Sequence, residues 1–213
     1  MNNPGRERIL ARIQKGLGPG VPQFKTFTAA RPIFPAIPDP LARFIQECRA
    51  NRTEFVPTAD SSASSQAIAK VLLELPAGEI FVQDTPELRA MATAWAGRQT
   101  RWSSEGPPRE SGQASITTAE ALVAATGSIL LSTANGGRTA SVVPPVHIVV
   151  AEREQLVSDL ESALKLARER GLLNQNTFLC LTTGSSRTAD IEKILVMGAH
   201  GPKRLVVVVS GCE

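Results

Sequence analysis

The chain has 213 residues, of which 42% are hydrophobic and 20% charged, and its formal net charge is +3. This length suits one α/β domain with an extension, and the composition is ordinary for a globular protein. The basic residues are spread along the chain and form no patch or stripe, so we do not expect nucleic-acid binding.

The three cysteines, Cys48, Cys180 and Cys212, are far apart and form no Cys-x-x-Cys pair. We therefore expect this chain to bind no metal, no iron–sulfur cluster and no other cofactor. The absence of G-x-G-x-x-G and P-loop motifs gives no indication of a nucleotide site. No apolar run is long enough to span a bilayer and no apolar signal region begins the chain, so we expect a cytoplasmic protein.

Residues 1–38 are predicted to form an N-terminal helix followed by a proline-rich arm. Residues 6–15 carry Ile9, Leu10 and Ile13 at helical spacing. Residues 19–40 are studded with proline and contain Phe24, Phe27 and Phe34, so they are predicted to be extended but packed on another surface. That surface is either the protein's own domain or another chain, and both alternatives remain open.

Residues 39–213 alternate between helical and strand patterns. Helices are predicted at Pro40–Asn51, Ser61–Leu75, Pro86–Gly97, Ala119–Ala125, Arg153–Arg170 and Ile191–Met197. Strands are predicted at Thr53–Pro57, Glu79–Gln83, Gln113–Thr117, Ser128–Ser132, Val146–Ala151, Thr177–Thr183 and Arg204–Val209. This rhythm predicts an α/β fold with a mostly parallel sheet covered by helices on both faces. The connection from Ser132 to Val146 lacks a helix, so that pair of strands could be antiparallel.

A loop of small and hydroxyl-bearing residues separates the last two predicted strands. It comprises Gly184, Ser185, Ser186, Arg187 and Thr188, and Asp190 follows in the first turn of the predicted helix. Backbone amides at a helix start, hydroxyl donors and a guanidinium together favour a carboxylate or phosphate. The alternative is that these residues only cap the helix.

A second glycine-bearing loop, Thr133–Ser141, contains Gly137 and Arg138 and also leaves the end of a predicted strand. Ligands gather beyond the carboxyl ends of strands in parallel sheets. If the two strands are neighbours, Arg138 and Arg187 face one crevice. Gly127, which precedes the strand at Ser128, completes the predicted anion-binding set.

The two histidines have different expected roles. His200, in a tight Ala-His-Gly-Pro sequence, is the candidate general acid or base, or else a structural residue of that turn. A full helix across 189–196 would place it roughly 12 Å from the Ser186 loop, whereas a segment bent back would bring the two together. His147 is predicted to be a core histidine with its hydrogen bonds satisfied. Cys180 is predicted to be buried in its strand.

The blocks Thr183–Glu192 with Gly198–Pro202, and Ala124–Ser128 with Ser141–Val150, resemble the LUD-domain family, specifically lactate utilisation protein C (LutC/YkgG). The family more often has Gly-Pro-Ser-Arg where this chain has Gly184-Ser185-Ser186-Arg187. The resemblance implies a NagB/RpiA/CoA-transferase-like fold. It also implies a component of a multi-protein system that oxidises L-lactate to pyruvate, with iron–sulfur centres on partner proteins.

Two alternatives to this role remain open. One is a free-standing acyl- or CoA-transferase-like or ligase-like enzyme, for which Glu120 and Glu192 are weak nucleophile candidates. The other is a purely structural subunit.

Overall fold

The computed structural model describes residues 4–17, 35–189, 195–197 and 201–212, and it divides between Pro35 and Ala36 into two units. The first unit contains helix α1 (Pro4–Leu17), with an acidic residue in its first turn and Lys15 in its last, which suits the helix dipole. The predicted N-terminal helix is therefore confirmed. The predicted arm falls on residues that lie mostly outside the described ones, and its docking stays a prediction.

Alternating helices and strands make up the second unit. Its described α-helices are α2 (Pro40–Ala50), α3 (Ser61–Leu73), α4 (Pro86–Met91), α5 (Leu160–Glu169) and α6 (Leu172–Gln175). Its described strands are β1 (Thr53–Pro57), β2 (Ile80–Val82), β3 (Thr100–Trp102), β4 (Ala114–Thr118), β5 (Ala121–Val123), β6 (Ser128–Ser132), β7 (Val146–Glu152), β8 (Leu156–Val157), β9 (Leu179–Thr182), β10 (Arg187–Ala189), β11 (Leu195–Met197) and β12 (Arg204–Ser210).

Side-chain caps fix the starts of the longer helices. The Asp39 and Asp60 carboxylates and the Thr85 hydroxyl each accept a hydrogen bond from a backbone N–H in the first turn, and Asp159 does the same for α5. Such caps satisfy N–H groups that have no partner within the helix. Proline follows the cap in α2 and α4, where its missing N–H has no consequence.

A six-stranded parallel sheet forms the centre of this unit. Its strand order is β1-β12-β7-β4-β2-β3, and every described pairing in it is parallel. The run Leu205–Val209 is fully buried, because a strand inside such a sheet is covered on both faces. The predicted α/β class and mostly parallel sheet are confirmed. The proposed antiparallel pairing of 128–132 with 146–151 is wrong, since β6 and β7 lie in different sheets.

The two faces of this sheet bury different layers. Alternate residues of β12 such as Val206 face a core formed with α3 and α4. Val207 and its counterparts face a second core, formed with Phe44 of α2 and with Leu122 and Leu131. The latter two residues belong to a four-stranded sheet, β8-β5-β6-β9. Helix α5 and Leu172 of α6 pack against the far side of that sheet.

Three predicted helices differ from the structure. Residues 121–123 form β5, because their small and branched side chains are all buried between β6 and β8 in the second sheet. Residues 153–157 form a 3₁₀ turn and β8, so the predicted long helix begins only at Leu160, after its cap Asp159. Residues 195–197 form β11, which pairs with β10.

The strand before the glycine–serine loop is also less buried than predicted. β9 is the edge strand of the second sheet, and Leu181 is exposed while Cys180 is half-buried. The prediction of a fully buried Cys180 is therefore wrong, because an edge strand lacks a neighbour on one side. Within the described residues, no helix combines the length and apolar character needed to cross a membrane.

Candidate functional site

The two predicted anion-binding loops lie at opposite ends of one strand pair. β6 and β9 are neighbours, as the prediction required, but they run antiparallel, so Ser132 at the end of β6 pairs with Leu179 at the start of β9. The loop after β6 and the loop after β9 are therefore separated by roughly 10 Å of strand. The expectation that Arg138 and Arg187 face one crevice is not met.

The loop after β9 is held closely against the end of α2. Gly184 has φ +75°, and a Cβ at this position would collide with the Asn51 carbonyl oxygen. Gly127, with φ +64°, makes a similar approach, since a Cβ there would lie 2.8 Å from the Glu47 Cβ. Only glycine fits both a left-handed backbone and such a close contact. Gly127 and Gly184 thus both pack against the C-terminal end of α2.

A chain of hydroxyl groups joins this loop to β6. The Ser128 Oγ lies 2.7 Å from the Thr126 Oγ1 and 2.6 Å from the Thr183 Oγ1. The Asn51 amide donates to the Thr126 carbonyl oxygen at 3.1 Å, which connects α2 to the same corner. These bonds fix the path of the chain as it enters Gly184.

Ser185 and Ser186 differ in what they offer a ligand. The Ser185 side chain is 5% exposed, and its Oγ has no hydrogen-bond partner among the described residues. The Ser186 amide donates to the Pro202 carbonyl oxygen at 2.8 Å, so this N–H is not available to an anion. A buried hydroxyl without a partner is uncommon and calls for a bound group or a water molecule.

No helix begins at this loop, contrary to the prediction. Arg187–Ala189 is β10, and its backbone pairs with Leu195–Met197 in an antiparallel hairpin. The predicted anion site relied on free backbone amides at the start of a helix. That part of the prediction is wrong, because the amides of residues 187–189 belong to a strand. Arg187 and Thr188 are placed by their backbone only, and Asp190 lies outside the described residues.

The hairpin also changes the setting of His200, which lies outside the described residues. The nearest described residues before and after it are Met197 and Gly201, and both lie beside the loop. Met197 pairs with Arg187, and a Cβ at Gly201 would lie 3.0 Å from the Ser186 Cβ. The alternative of a helix that carries the chain away from Ser186 is wrong, since the segment bends back.

The loop after β6 presents its arginine to solvent. Arg138 is exposed, and its Nη2 donates to the Thr177 carbonyl oxygen at 3.0 Å. Its guanidinium lies 5.7 Å from the centre of the Phe178 ring, a cation–π distance. Gly137 has φ +86° and nothing within 4 Å of where a Cβ would be, so this loop is open where the other is tightly packed.

A buried polar network anchors the base of the same loop. Asn135 accepts from the Ser132 amide at 2.5 Å and donates to the Thr118 Oγ1 at 3.2 Å. The Gln83 side chain accepts from Thr118 and donates to the Ala134 carbonyl oxygen. Glu120 accepts a hydrogen bond of 2.6 Å from the Ser132 Oγ, so this carboxylate takes part in holding the loop.

His147 is fully buried between the two sheets. Its Nε2 lies 2.9 Å from the Thr117 Oγ1, and its Nδ1 has no partner among the described residues. Burial lowers the pKa of the imidazole to about 4, so the ring is neutral near pH 7. The prediction of a core position is confirmed, but that of a fully satisfied histidine is wrong.

A small cavity adjoins His147 and reaches the loop after β6. Its volume of about 10 Å³ leaves room for one water molecule. Its lining includes Thr117, Ser132, Asn135, Gly137, Ser141, His147 and Phe178. The sequence does not distinguish Thr117 from the other hydroxyl residues of β4, Ser115 and Thr118. Only the register of β4 against β7 brings it to His147.

Across the described segments, no three histidine, cysteine or acidic side chains come together in a way that could hold a metal ion.

Comparison with known proteins shows that this chain is similar to LUD-domain sequences. The LUD domain model matches residues 110–210, which run from the turn before β4 to the end of β12. Lactate utilization protein C of Bacillus subtilis is 25% identical over 97% of this chain and 91% of its own length. An uncharacterized protein of Neisseria meningitidis is 36% identical over 40% of this chain, a match that spans 36% of that protein's length.

A solved structure has the same fold. The crystal structure of a DUF162 family protein from Deinococcus radiodurans superposes with a TM-score of 0.60 at 23% identity, covering 81% of this chain and 96% of the other. The resemblance found in the sequence is thus confirmed: residues 110–210 match the LUD domain model, and the chain is similar along most of its length to lactate utilization protein C.

Proposed function

We propose that this protein is a component of a lactate utilisation system that oxidises L-lactate to pyruvate, and that it binds a small carboxylate. Iron–sulfur proteins would be its partners and would carry the electrons. The similarity to lactate utilization protein C along 97% of the chain supports the role in lactate utilisation. The fold alone would not support it, since one fold serves many functions.

The observation that carries the ligand proposal is the Ser185 hydroxyl, buried and without a partner among the residues that are described. A carboxylate oxygen would accept this O–H, and Arg187, the next residue but one, would supply the charge for the carboxylate. Thr188, Asp190 and His200 complete the proposed site, with His200 as its general acid or base. The flanks of His200 lie beside Ser186, which supports this grouping.

Growth on L-lactate tests the proposed role. A strain of the native bacterium from which this gene has been deleted would receive the wild-type gene, Ser185→Ala, Arg187→Ala or the control Arg168→Ala. Arg168 is exposed in the last turn of α5 and belongs to neither loop. We expect the first two variants to slow growth on L-lactate but not on pyruvate, and the control to grow normally.

Purification from native cells tests the partners. We expect an iron–sulfur protein and lactate-oxidising activity to elute together with this chain. Normal growth on L-lactate without the gene would contradict the role, whereas normal growth with both site variants would contradict only the ligand site.

A further inference from the structure

His147 carries a polar atom that the described protein leaves without a partner. The ring is fully buried, and its Nδ1 has no hydrogen bond within the described ranges, while its Nε2 is paired with Thr117. If Thr117 donates to Nε2, Nδ1 carries the proton and requires an acceptor; if Nε2 donates, Nδ1 requires a donor. Leaving a buried polar atom without a partner is unfavourable, so the site favours an oxygen atom from outside the chain.

The small size of the cavity beside His147 limits which molecules can supply that oxygen atom. Its space of about 10 Å³ admits one heavy atom, so the rest of the molecule must remain at the rim. Phe178 and Gly137 form part of this rim, and both are exposed, Phe178 to 38%. The rim therefore opens to solvent on the side of the loop after β6.

A cation lies at the same rim. Arg138 follows Gly137 in the chain and lies over the Phe178 ring, so it is next to two residues that line the cavity. Among the described side chains, no carboxylate comes within ion-pair distance of this guanidinium. One of its N–H groups bonds to the Thr177 carbonyl oxygen, which holds the side chain in place and leaves other donors.

These features select a ligand with two different ends. The lining of the cavity has no charged side chain among the residues described there, so the atom that enters it must be neutral. The charged end must instead meet Arg138 outside. We propose that the cavity binds a small hydroxy- or oxo-carboxylate, with its carboxylate on Arg138 and its hydroxyl or carbonyl oxygen on His147 Nδ1.

This site is separate from the Ser185 loop, which lies at the other end of β6 and β9. Its failure would leave the Ser185 proposal intact.

A hydroxyl oxygen satisfies either tautomer of His147, whereas a carbonyl oxygen requires the proton on Nδ1. A carboxylate without the second oxygen would leave Nδ1 unpaired and should bind less well.

Nitrogen-15 NMR of the imidazole rings tests the proposal on the full chain. The chain has two histidines, so a His200→Asn variant assigns the His147 signals. We expect L-lactate or pyruvate to shift the His147 Nδ1 resonance in a saturable way. Propionate, which lacks the 2-oxygen, should bind about tenfold more weakly, the loss expected for one hydrogen bond to a buried group.

Arginine variants complete the experiment. Arg138→Ala should weaken lactate binding, as measured from the saturation of this shift, about tenfold. The exposed control Arg168→Ala should leave the binding unchanged. An Nδ1 resonance that no probe moves, as for a permanently bound water, would overturn the proposal. So would an equal response to propionate, or unchanged binding in Arg138→Ala. Because the readout is the ring of His147 itself, the test needs no substitution at His147.

Discussion

The two glycine–arginine loops are alike in sequence and different in structure. Each follows a strand of the second sheet and joins glycine to hydroxyl residues and an arginine. The loop after β9 is pressed onto α2 at Gly184 and has a buried hydroxyl at Ser185. The loop after β6 has open space at Gly137 and exposes Arg138 over an aromatic ring.

The difference shows that similar residues acquire different functions from what packs against them. Glycine is required at 184 because another backbone occupies the place of a side chain, whereas at 137 only the backbone angle favours it. The polar atom that lacks a partner belongs to the loop itself in one case, and in the other to His147 beneath the loop. Substitutions in or beneath each of the two loops can test this comparison.

The largest expected effect is from alanine at the two glycines. Gly184→Ala should lower the free energy of unfolding by about 4 kcal/mol, because it adds a collision with the Asn51 carbonyl to a left-handed backbone. Gly137→Ala should lower it by only about 1 kcal/mol, since the strained angle is its sole penalty. Urea denaturation of the two variants measures both values. Equal losses would mean that the two loops are equally packed.

The next largest effect is on the pH dependence of the unfolding free energy, through His147 beneath the loop that carries Arg138. His147 has a folded pKa of about 4, below its usual 6.5, so the unfolded chain binds the proton more tightly. Stability from the neutral ring is present above pH 6.5 and is lost as pH falls toward 4, about 3 kcal/mol in all. The difference in unfolding free energy between wild type and His147→Gln should shrink by this amount from pH 7.5 to 4. A constant difference would show that the ring protonates in the folded state as readily as in water.

The smallest expected effects are the stability losses from removing the interactions that hold each loop in place. Ser128→Ala removes the hydroxyl that joins Thr126 to Thr183 and should lower the unfolding free energy by about 1–2 kcal/mol. Arg138→Ala removes an exposed hydrogen bond and a cation–π contact and should lower it by less than about 1 kcal/mol. Thermal melts of both proteins rank the two losses, and the reverse order would contradict the assignment of Ser128 as the tie.

Local sequence determined most of the elements of the central sheet. β1 has the predicted bounds, and β7 and β12 each extend one residue beyond theirs. Outside this sheet, β6 also has the predicted bounds, and α2 begins at the predicted Pro40. The reasons are local, since an apolar run of branched residues favours a strand and a proline at a helix start fixes the first turn. The parallel sheet also followed from the alternation of helices and strands.

Tertiary structure decided the rest, because it depends on which segments become neighbours. Residues 121–123 are equally compatible with a helix or a strand, and pairing with β6 and β8 makes them a strand. Residues 195–197 became a strand in the same way, by pairing with β10.

The site shows the same division between local and tertiary causes. Ser185, Arg138 and His147 were visible as residue types, yet the sequence does not contain the antiparallel order of β6 and β9 that parts the two loops. Nor does it contain the register that sets Thr117 against His147. Both are contacts between residues tens of positions apart, which the packing of two sheets fixes and no local pattern records.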